Sequence, residues 1–93
     1  MGRAYTLIIH PDAEADLAAL QEKHRRQVDR RIQGLAGEPR PVGARPLKGA
    51  KAQKRALWRI RSGVYRIIYQ IRDAELIVLG VRVGSRKNIY REL

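Results

Sequence analysis

The stretch that decides the fold is residues 57–72, LWRIRSGVYRIIYQIR. Apolar and aromatic residues alternate with arginines on both sides of Ser62-Gly63, a dipeptide typical of the turn between two antiparallel strands. We therefore predict strands at 57–61 and 64–72, joined by Ser62-Gly63 as a two-residue loop. Because successive side chains point to opposite sides of a strand, this pattern divides the hairpin into two chemically different faces.

One face of the predicted hairpin is apolar and the other is basic. The apolar face consists of Trp58, Ile60, Tyr65, Ile67, Tyr69 and Ile71. Arg59, Arg61 and Arg66 share the other face, and in this register Arg59 pairs with Arg66. At roughly 6 Å, two like charges repel by about 0.7 kcal/mol in bulk water and by about 3 kcal/mol at an effective dielectric of 20. We interpret the basic face as a site for a bound polyanion.

Two considerations stand against that interpretation. Exposed strands often carry arginine for solubility and to protect their edges from pairing with other chains. The inference also depends on register, since one extra loop residue would move Arg66 to the opposite face.

Downstream of the hairpin, the pattern predicts one more strand and a basic tail. The strand spans 75–83 after the short turn Asp73-Ala74. Gly84 then permits a sharp bend that returns Arg86 and Tyr90 over the sheet. There Arg86 can bind a phosphate and Tyr90 can stack on a base, a combination suited to single-stranded nucleic acid. The alternative is a polar tail whose Tyr90 packs on the edge of the core.

Upstream of the hairpin, the pattern predicts one strand and two helices. The β-rich run 5–9 reads as a strand that ends at His10-Pro11. A helix with acidic first turns follows, and a second helix spans 22–36. The connector 38–50, rich in proline and glycine, cannot continue a helix or a central strand. The predicted order is β-α-α-β-β-β, an α+β fold in which a helical hairpin covers one face of a small, mainly antiparallel sheet.

Length and composition limit the chain to one basic domain. We assign all 93 residues, 1–93, to it, because this length buries one modest core. The net charge is +11, and arginine supplies 15 of the 20 cations. Between Arg40 and Arg72 there are ten cations and no acid. Guanidinium groups bind phosphate oxygens in pairs, so this bias indicates a polyanionic or acidic partner, the alternative being scattered surface charge.

Several classes of protein and site are excluded or not expected. Without cysteine, the chain has neither disulfides nor a thiolate nucleophile, and its two histidines, His10 and His24, do not indicate a metal site. We expect no cofactor. Uncharged stretches reach only about seven residues, far short of the roughly 20 apolar residues of a membrane span, so we expect a cytoplasmic protein without a membrane partner.

Four segments together resemble the RelE/ParE toxin superfamily, and the resemblance covers essentially the whole chain. The segments are Leu47-Lys48-Gly49, Leu57-Trp58-Arg59-Ile60-Arg61, Gly63-Val64-Tyr65-Arg66-Ile67-Ile68-Tyr69 and Val81-Arg82-Val83-Gly84-Ser85-Arg86-Lys87-Asn88-Ile89-Tyr90. The fold of that family has the order of elements predicted above.

The resemblance implies the toxin of a type II toxin–antitoxin pair, held inactive by a cognate acidic antitoxin. Its RelE branch implies a metal-independent endoribonuclease that cuts messenger RNA in the 30S A site of the ribosome and so inhibits translation. The 2′-hydroxyl of the RNA attacks its own phosphate, which leaves a 2′,3′-cyclic phosphate and a 5′-hydroxyl. Operator DNA would be reached only through the antitoxin.

The resemblance also nominates five catalytic residues: Arg59, Arg61, Arg66, Arg86 and Tyr90. Arg66 matches the arginine that stabilises the transition state, Arg86 the one credited with charge stabilisation or protonation of the leaving oxygen, and Tyr90 the tyrosine that orients or stacks on the substrate. We assign RNA binding to five further cations, Lys48, Lys51, Lys54, Arg55 and Lys87.

The sequence departs from the RelE pattern where the reaction needs a base. Arginine replaces the lysines usual at positions 59 and 61, and its pKa above 12 makes it a poor general base. His10 is better read as a strand-end residue and His24 as a helix-linker residue. Arginines that align the substrate and stabilise charge can still supply much of the rate, and activity would then be slow without the ribosome.

Two other functions stay open at this point. One is a ParE-type toxin that inhibits DNA gyrase through protein contacts and cuts no RNA; the missing base and the start His10-Pro11-Asp12-Ala13, common in the ParE branch, favour it. The other is a nucleic-acid-binding module without toxicity.

Overall fold

The computed structural model describes residues 4–52 and 55–85, with 48–52 and 55 described by their backbone alone. The described chain forms five strands and two helices, ordered β1 (Thr6–Ile9), α1 (Pro11–Ala18), α2 (Glu22–Gly34), β2 (Arg45–Ala52), β3 (Arg55–Ser62), β4 (Tyr65–Arg72) and β5 (Ile77–Gly84). The strands make one sheet in the order β1-β5-β4-β3-β2. β1 pairs with β5 in parallel, and all other pairs are antiparallel. The predicted α+β class is confirmed.

The core lies between the helices and the predicted apolar face of the hairpin. Ile60, Ile67 and Tyr69 are buried there against Val28 and Ile32 of α2. Trp58 and Tyr65 pack against the same cluster and stay partly exposed. Helical spacing on α2 and alternation on the strands each place apolar side chains on one side, so the two elements bury them against each other.

The connector 38–50 contains a strand that the prediction missed. β2 begins at Arg45 and pairs only with β3, so it is the edge of the sheet. Its pairing register shifts between Pro46 and Lys51. Proline cannot donate a hydrogen bond to a neighbouring strand, which an edge strand with a bulge tolerates and a central strand does not.

The hairpin loop is Gly63-Val64, so the predicted loop Ser62-Gly63 is wrong by one position. Ser62 pairs with Tyr65, and Gly63 has a φ of +59°. A two-residue hairpin turn of this kind places its positive φ at the first loop residue, where glycine is unstrained. The pairing therefore slips by two residues from the predicted register, and each side chain keeps its predicted face.

The turn before β5 is also longer than predicted. It spans 73–76 rather than Asp73-Ala74 alone, and β5 starts at Ile77. Leu76 takes a φ of 54° there, and its carbonyl accepts a hydrogen bond from the backbone N–H of Thr6 at 2.7 Å. Docking of β1 against this turn accounts for the two extra residues.

Asp16 joins α1 to the far end of β5. Its carboxylate accepts hydrogen bonds from the Arg82 guanidinium at 2.8 Å and from the backbone N–H of Val83 at 2.9 Å. β1 pairs with β5 only as far as Gly80, so no described strand accepts a hydrogen bond from the backbone N–H of Val83 on this side. The Asp16 carboxylate accepts it instead. Neither of the two described helices has the length and apolar composition of a membrane-spanning helix.

Candidate nucleic-acid interface

Four arginines share one face of the sheet through strand pairing. Arg45 of β2 pairs with Arg59 of β3, and Arg61 of β3 pairs with Arg66 of β4. Paired residues of antiparallel strands point to the same side, and Arg59 and Arg61 are two residues apart, so all four lie together. We call Arg45, Arg59, Arg61 and Arg66 the arginine face. The predicted pairing of Arg59 with Arg66 is wrong: Arg59 lies opposite Ile68.

The arginine face occupies the half of the sheet near the hairpin loop. Arg45 and Arg61 are exposed, whereas Arg59 and Arg66 are half-buried. Towards the other end of the strands, Leu57 and Ile68 lie on the same side and are fully buried. This burial, which alternation alone did not predict, gives two of the guanidinium groups an apolar neighbourhood that strengthens their interaction with an anion.

Three of the described acids pair with arginines outside the arginine face. Glu22 pairs with Arg26, Asp16 with Arg82, and Asp73 with Arg40. Within residues 4–52 and 55–85, no carboxylate forms an ion pair with the arginine face. The repulsion among its like charges therefore has no internal compensation in this part of the chain.

Arg66 is oriented by the end of β5. Its Nη1 donates a hydrogen bond to the carbonyl oxygen of Ser85 at 3.0 Å, and Arg66 pairs with Gly84. The guanidinium thereby lies beside the point at which the chain leaves the sheet. A guanidinium has five N–H donors, so this contact leaves further donors for a ligand.

Several nominated residues lie where the structure does not describe a side chain. Lys54, Arg86, Lys87 and Tyr90 fall outside the described residues, and for Lys48, Lys51 and Arg55 only the backbone is described. Their assignments stay predictions.

Two further arginines belong to the neighbourhood and were not nominated. An open cleft of about 350 Å³ is lined by Arg31, Gly43, Arg45, Arg59, Ile60 and Arg61. Arg45 was missed because the connector was read as a loop. Arg31 could have been found from the sequence, because it comes immediately before Ile32, which is buried. This position places the Arg31 side chain at the border between the core and the surface of α2.

The histidines are engaged away from the arginine face. His10 Nδ1 accepts a hydrogen bond from the backbone N–H of Asp12 at 3.1 Å and so caps α1. His24 lies in the first turn of α2, not in the linker, and its ring meets the edge of Tyr65 at 5.5 Å between centroids.

Asp73 is held in a surface cluster with Arg40 and Tyr5. Arg40 donates to both carboxylate oxygens, at 2.8 and 3.1 Å, and the Tyr5 hydroxyl donates at 2.7 Å. These hydrogen bonds lower the pKa of Asp73 to about 2. Arg40 also lies 5.1 Å from the Trp58 ring centroid. The cluster joins the residue before β1, the connector and the turn before β5, and it leaves Asp73 a poor proton acceptor.

The lowered pKa predicts a small acid sensitivity. A carboxylate whose pKa falls from 3.8 to about 2 on folding stabilises the protein above pH 3.8, and this contribution is lost as the pH falls through about 2. We expect Asp73→Asn to be less stable at pH 5 by under about 1 kcal/mol, because the pair is exposed, and the difference to shrink towards pH 2. Urea unfolding across this pH range measures it; a pH-independent difference would contradict the assignment.

Tyr69 is a structural hydrogen-bond donor. Its buried hydroxyl donates to the carbonyl oxygen of Pro39 at 2.7 Å, which ties β4 to the connector. Burial raises the pKa of Tyr69 to about 12, so the hydroxyl stays protonated at neutral pH. Within residues 4–52 and 55–85, neither His10, His24, Asp73 nor Tyr69 therefore serves as a general base at the arginine face.

A known family matches most of the chain. The family described as the ParE toxin of the type II toxin–antitoxin system parDE matches residues 7–90. The chain belongs to this toxin family. The resemblance to the RelE/ParE superfamily is confirmed, and the chain is a toxin of the type II toxin–antitoxin class.

Solved toxin structures share the fold over nearly their whole length. The RelE–RelB complex of Pyrococcus horikoshii matches at 25% identity and a TM-score of 0.75, covering 90% of this chain and 97% of that one. The complex RelBE2 of Mycobacterium tuberculosis matches at 27% identity and a TM-score of 0.74, covering 89% of this chain and 99% of that one. The isolated RelE toxin of Escherichia coli matches at 26% identity and a TM-score of 0.67, covering 96% of this chain and 94% of that one. No curated protein matches the sequence.

Proposed function

We propose that this toxin is a ribosome-dependent endoribonuclease that cleaves messenger RNA in the cytoplasm and so stops translation. The observation that carries the proposal is the arginine face, whose four guanidinium groups have no carboxylate partner among the described residues. A phosphodiester that becomes more negative during cleavage is the ligand that such a surface stabilises best. Similarity to the RelE toxins supports this choice of branch.

The proposed reaction needs alignment and charge stabilisation. The RNA 2′-oxygen forms a bond to phosphorus, the bond from phosphorus to the 5′-oxygen breaks, the 2′-hydroxyl loses its proton and the 5′-oxygen gains one. Arg61 and Arg66, paired across β3 and β4, hold the non-bridging oxygens, and Arg59 aligns the chain beside them. Preorganised guanidinium groups stabilise the transition state without reorganising when charge develops.

An acidic antitoxin is the proposed partner that keeps the toxin inactive. The net charge of +11 favours association with a polyanionic protein. Several similar toxin structures are themselves complexes with RelB antitoxins. Covering the arginine face would at once offset its repulsion and exclude RNA.

The test combines two readouts in the same induced cells. We expect primer extension to show breaks in messenger RNA at codon-defined positions, while plasmid supercoiling stays normal. If an acidic reading frame lies beside the toxin gene, its co-expression should abolish the breaks. Intact transcripts together with relaxed or cleaved plasmid would refute the nuclease, and induction without growth arrest would refute the proposed inhibition of translation.

Inhibition of DNA gyrase is the second candidate function. The matching family is described as the ParE toxin, and His10, His24 and Asp73 are all engaged away from the arginine face. A gyrase inhibitor would use the same arginines for an acidic protein surface and would need no base. The plasmid readout above distinguishes the two functions directly.

A further inference from the structure

The cleft lined by Arg31 and Arg45 lies where the sheet edge meets α2. β2 begins by pairing Arg45 with Arg59, so beyond this pair β3 has no neighbouring strand on that side. Arg31 reaches this edge from α2, and its Nε donates a hydrogen bond to the carbonyl oxygen of Arg61 at 3.4 Å. Helix, edge strand and β3 thus each contribute guanidinium groups to one space of about 350 Å³.

The donors in this cleft are available to a ligand. The hydrogen bond to Arg61 uses only the Nε of Arg31, and its two terminal amino groups have no hydrogen-bond partner among the described residues. Arg45 is exposed and likewise forms no ion pair within residues 4–52 and 55–85. A guanidinium anchored through one nitrogen retains a planar pair of donors, which matches two oxygens of one phosphate.

We propose that Arg31 and Arg45 bind a phosphodiester of the RNA strand next to the one that is cleaved, an inference that rests on the proposed function. Arg45, Arg59 and Arg61 belong both to the arginine face and to the cleft, so a single strand with regularly repeating charges can occupy the two without interruption. Residues on one face of a strand repeat about every 6.8 Å, which suits successive charged groups of an extended ligand.

The lining favours RNA over an acidic peptide. Besides the four arginines, the described residues that line the cleft are Gly43 and Ile60. Peptide segments that bind as ordered elements gain affinity from burying apolar side chains in pockets, and one isoleucine offers little surface for this. Binding to a nucleic acid backbone needs only the charges and their spacing.

The test measures binding without cleavage. The probe is a fluorescein-labelled 2′-O-methyl RNA of about 12 nucleotides, which lacks the attacking hydroxyl, and affinity is followed by anisotropy over a range of salt concentrations. The full-length double variant R31Q/R45Q should bind about tenfold more weakly, and its salt dependence should be less steep by about 0.7 for each phosphate that is no longer neutralised. Thermal unfolding by circular dichroism verifies that each variant is folded.

Two control variants make the result specific. R25Q removes the same kind of charge from the exposed surface of α2, outside the cleft, and should change affinity less than about twofold. R31K/R45K keeps both charges but loses the planar donor pairs, so it should keep the salt dependence of the parent while binding more weakly. This variant also keeps the test informative if the glutamine pair does not fold.

The outcomes separate this subsite from the proposed function. If R31Q/R45Q matches R25Q in affinity and salt dependence, the subsite is refuted, whatever primer extension shows. If the double variant loses affinity for the acidic antitoxin but not for RNA, the cleft serves a protein partner and the proposal is equally refuted. A parent that binds RNA through these residues while cellular transcripts stay intact would support the subsite and refute the nuclease.

Discussion

Arg66→Ala is expected to lower the rate of messenger RNA cleavage by about 10²–10³-fold, the usual effect of removing one preorganised donor to a developing charge. Arg66 is half-buried, pairs with Arg61 across the hairpin and donates to the carbonyl oxygen of Ser85. Its loss therefore removes charge at the reacting phosphate and an anchor for the end of β5. The measurement is cleavage of a defined transcript in a cell-free translation reaction.

Two comparisons separate these roles. Arg66→Lys keeps the charge without the planar donors and should restore only part of the rate, because a single ammonium cannot hold both Ser85 and a phosphate. Arg25→Ala removes an exposed arginine of α2 and should cleave like the parent. If Arg66→Ala stays as active as Arg25→Ala, Arg66 has no part in catalysis.

Ile32→Ala is expected to lower the free energy of unfolding by about 2–5 kcal/mol, since it deletes three buried carbon atoms and leaves a cavity. Ile32 is 1% exposed and packs in the cluster that contains Ile60, Ile67 and Tyr69. For a domain of this size each kcal/mol corresponds to roughly 4–8 °C in melting temperature, so the Tm should fall by at least about 8 °C. Thermal unfolding followed by circular dichroism measures the change.

Val42→Ala is the matched control for this core prediction. Val42 is 98% exposed, so its truncation should change the stability by less than about 0.5 kcal/mol. Both Ile32→Ala and Arg66→Ala should relieve toxicity, the first with a lowered Tm and the second with a Tm close to that of the parent. If the Tm of Ile32→Ala equals that of the parent, Ile32 is not buried between α2 and the sheet as described.

The sequence predicted which side chains share a face better than it predicted which residues pair. The loop was misplaced by one residue, yet Arg59, Arg61 and Arg66 remained on one side, because the register slipped by two and the side-chain period of a strand is two. The same alternation did not reveal that Leu57 and Ile68, on that side, are fully buried.

The missed strand has a physical reason. β2 has the sequence RPLKGAKA, which contains proline and glycine and shows little apolar alternation. Its strand conformation follows from pairing with β3 at the edge of the sheet, and local preference gives no signal of this. Arg45 was consequently absent from the nominated residues although it lies directly opposite Arg59.

By itself, the sequence determined the helix and strand types that form the core, the sorting of the hairpin into an apolar and an arginine side, and membership of a toxin superfamily. The first two depend on periodicity and residue type, which are local properties of the chain, whereas the membership rests on the resemblance of four segments to the superfamily. Only the tertiary structure decided that Arg31 and Arg45 join Arg59 and Arg61 in one cleft, and that Arg40 and Tyr5 engage Asp73 across 33 and 68 residues of sequence. Such contacts follow from which strands become neighbours, and strand neighbours are set by packing of the whole sheet rather than by any one segment.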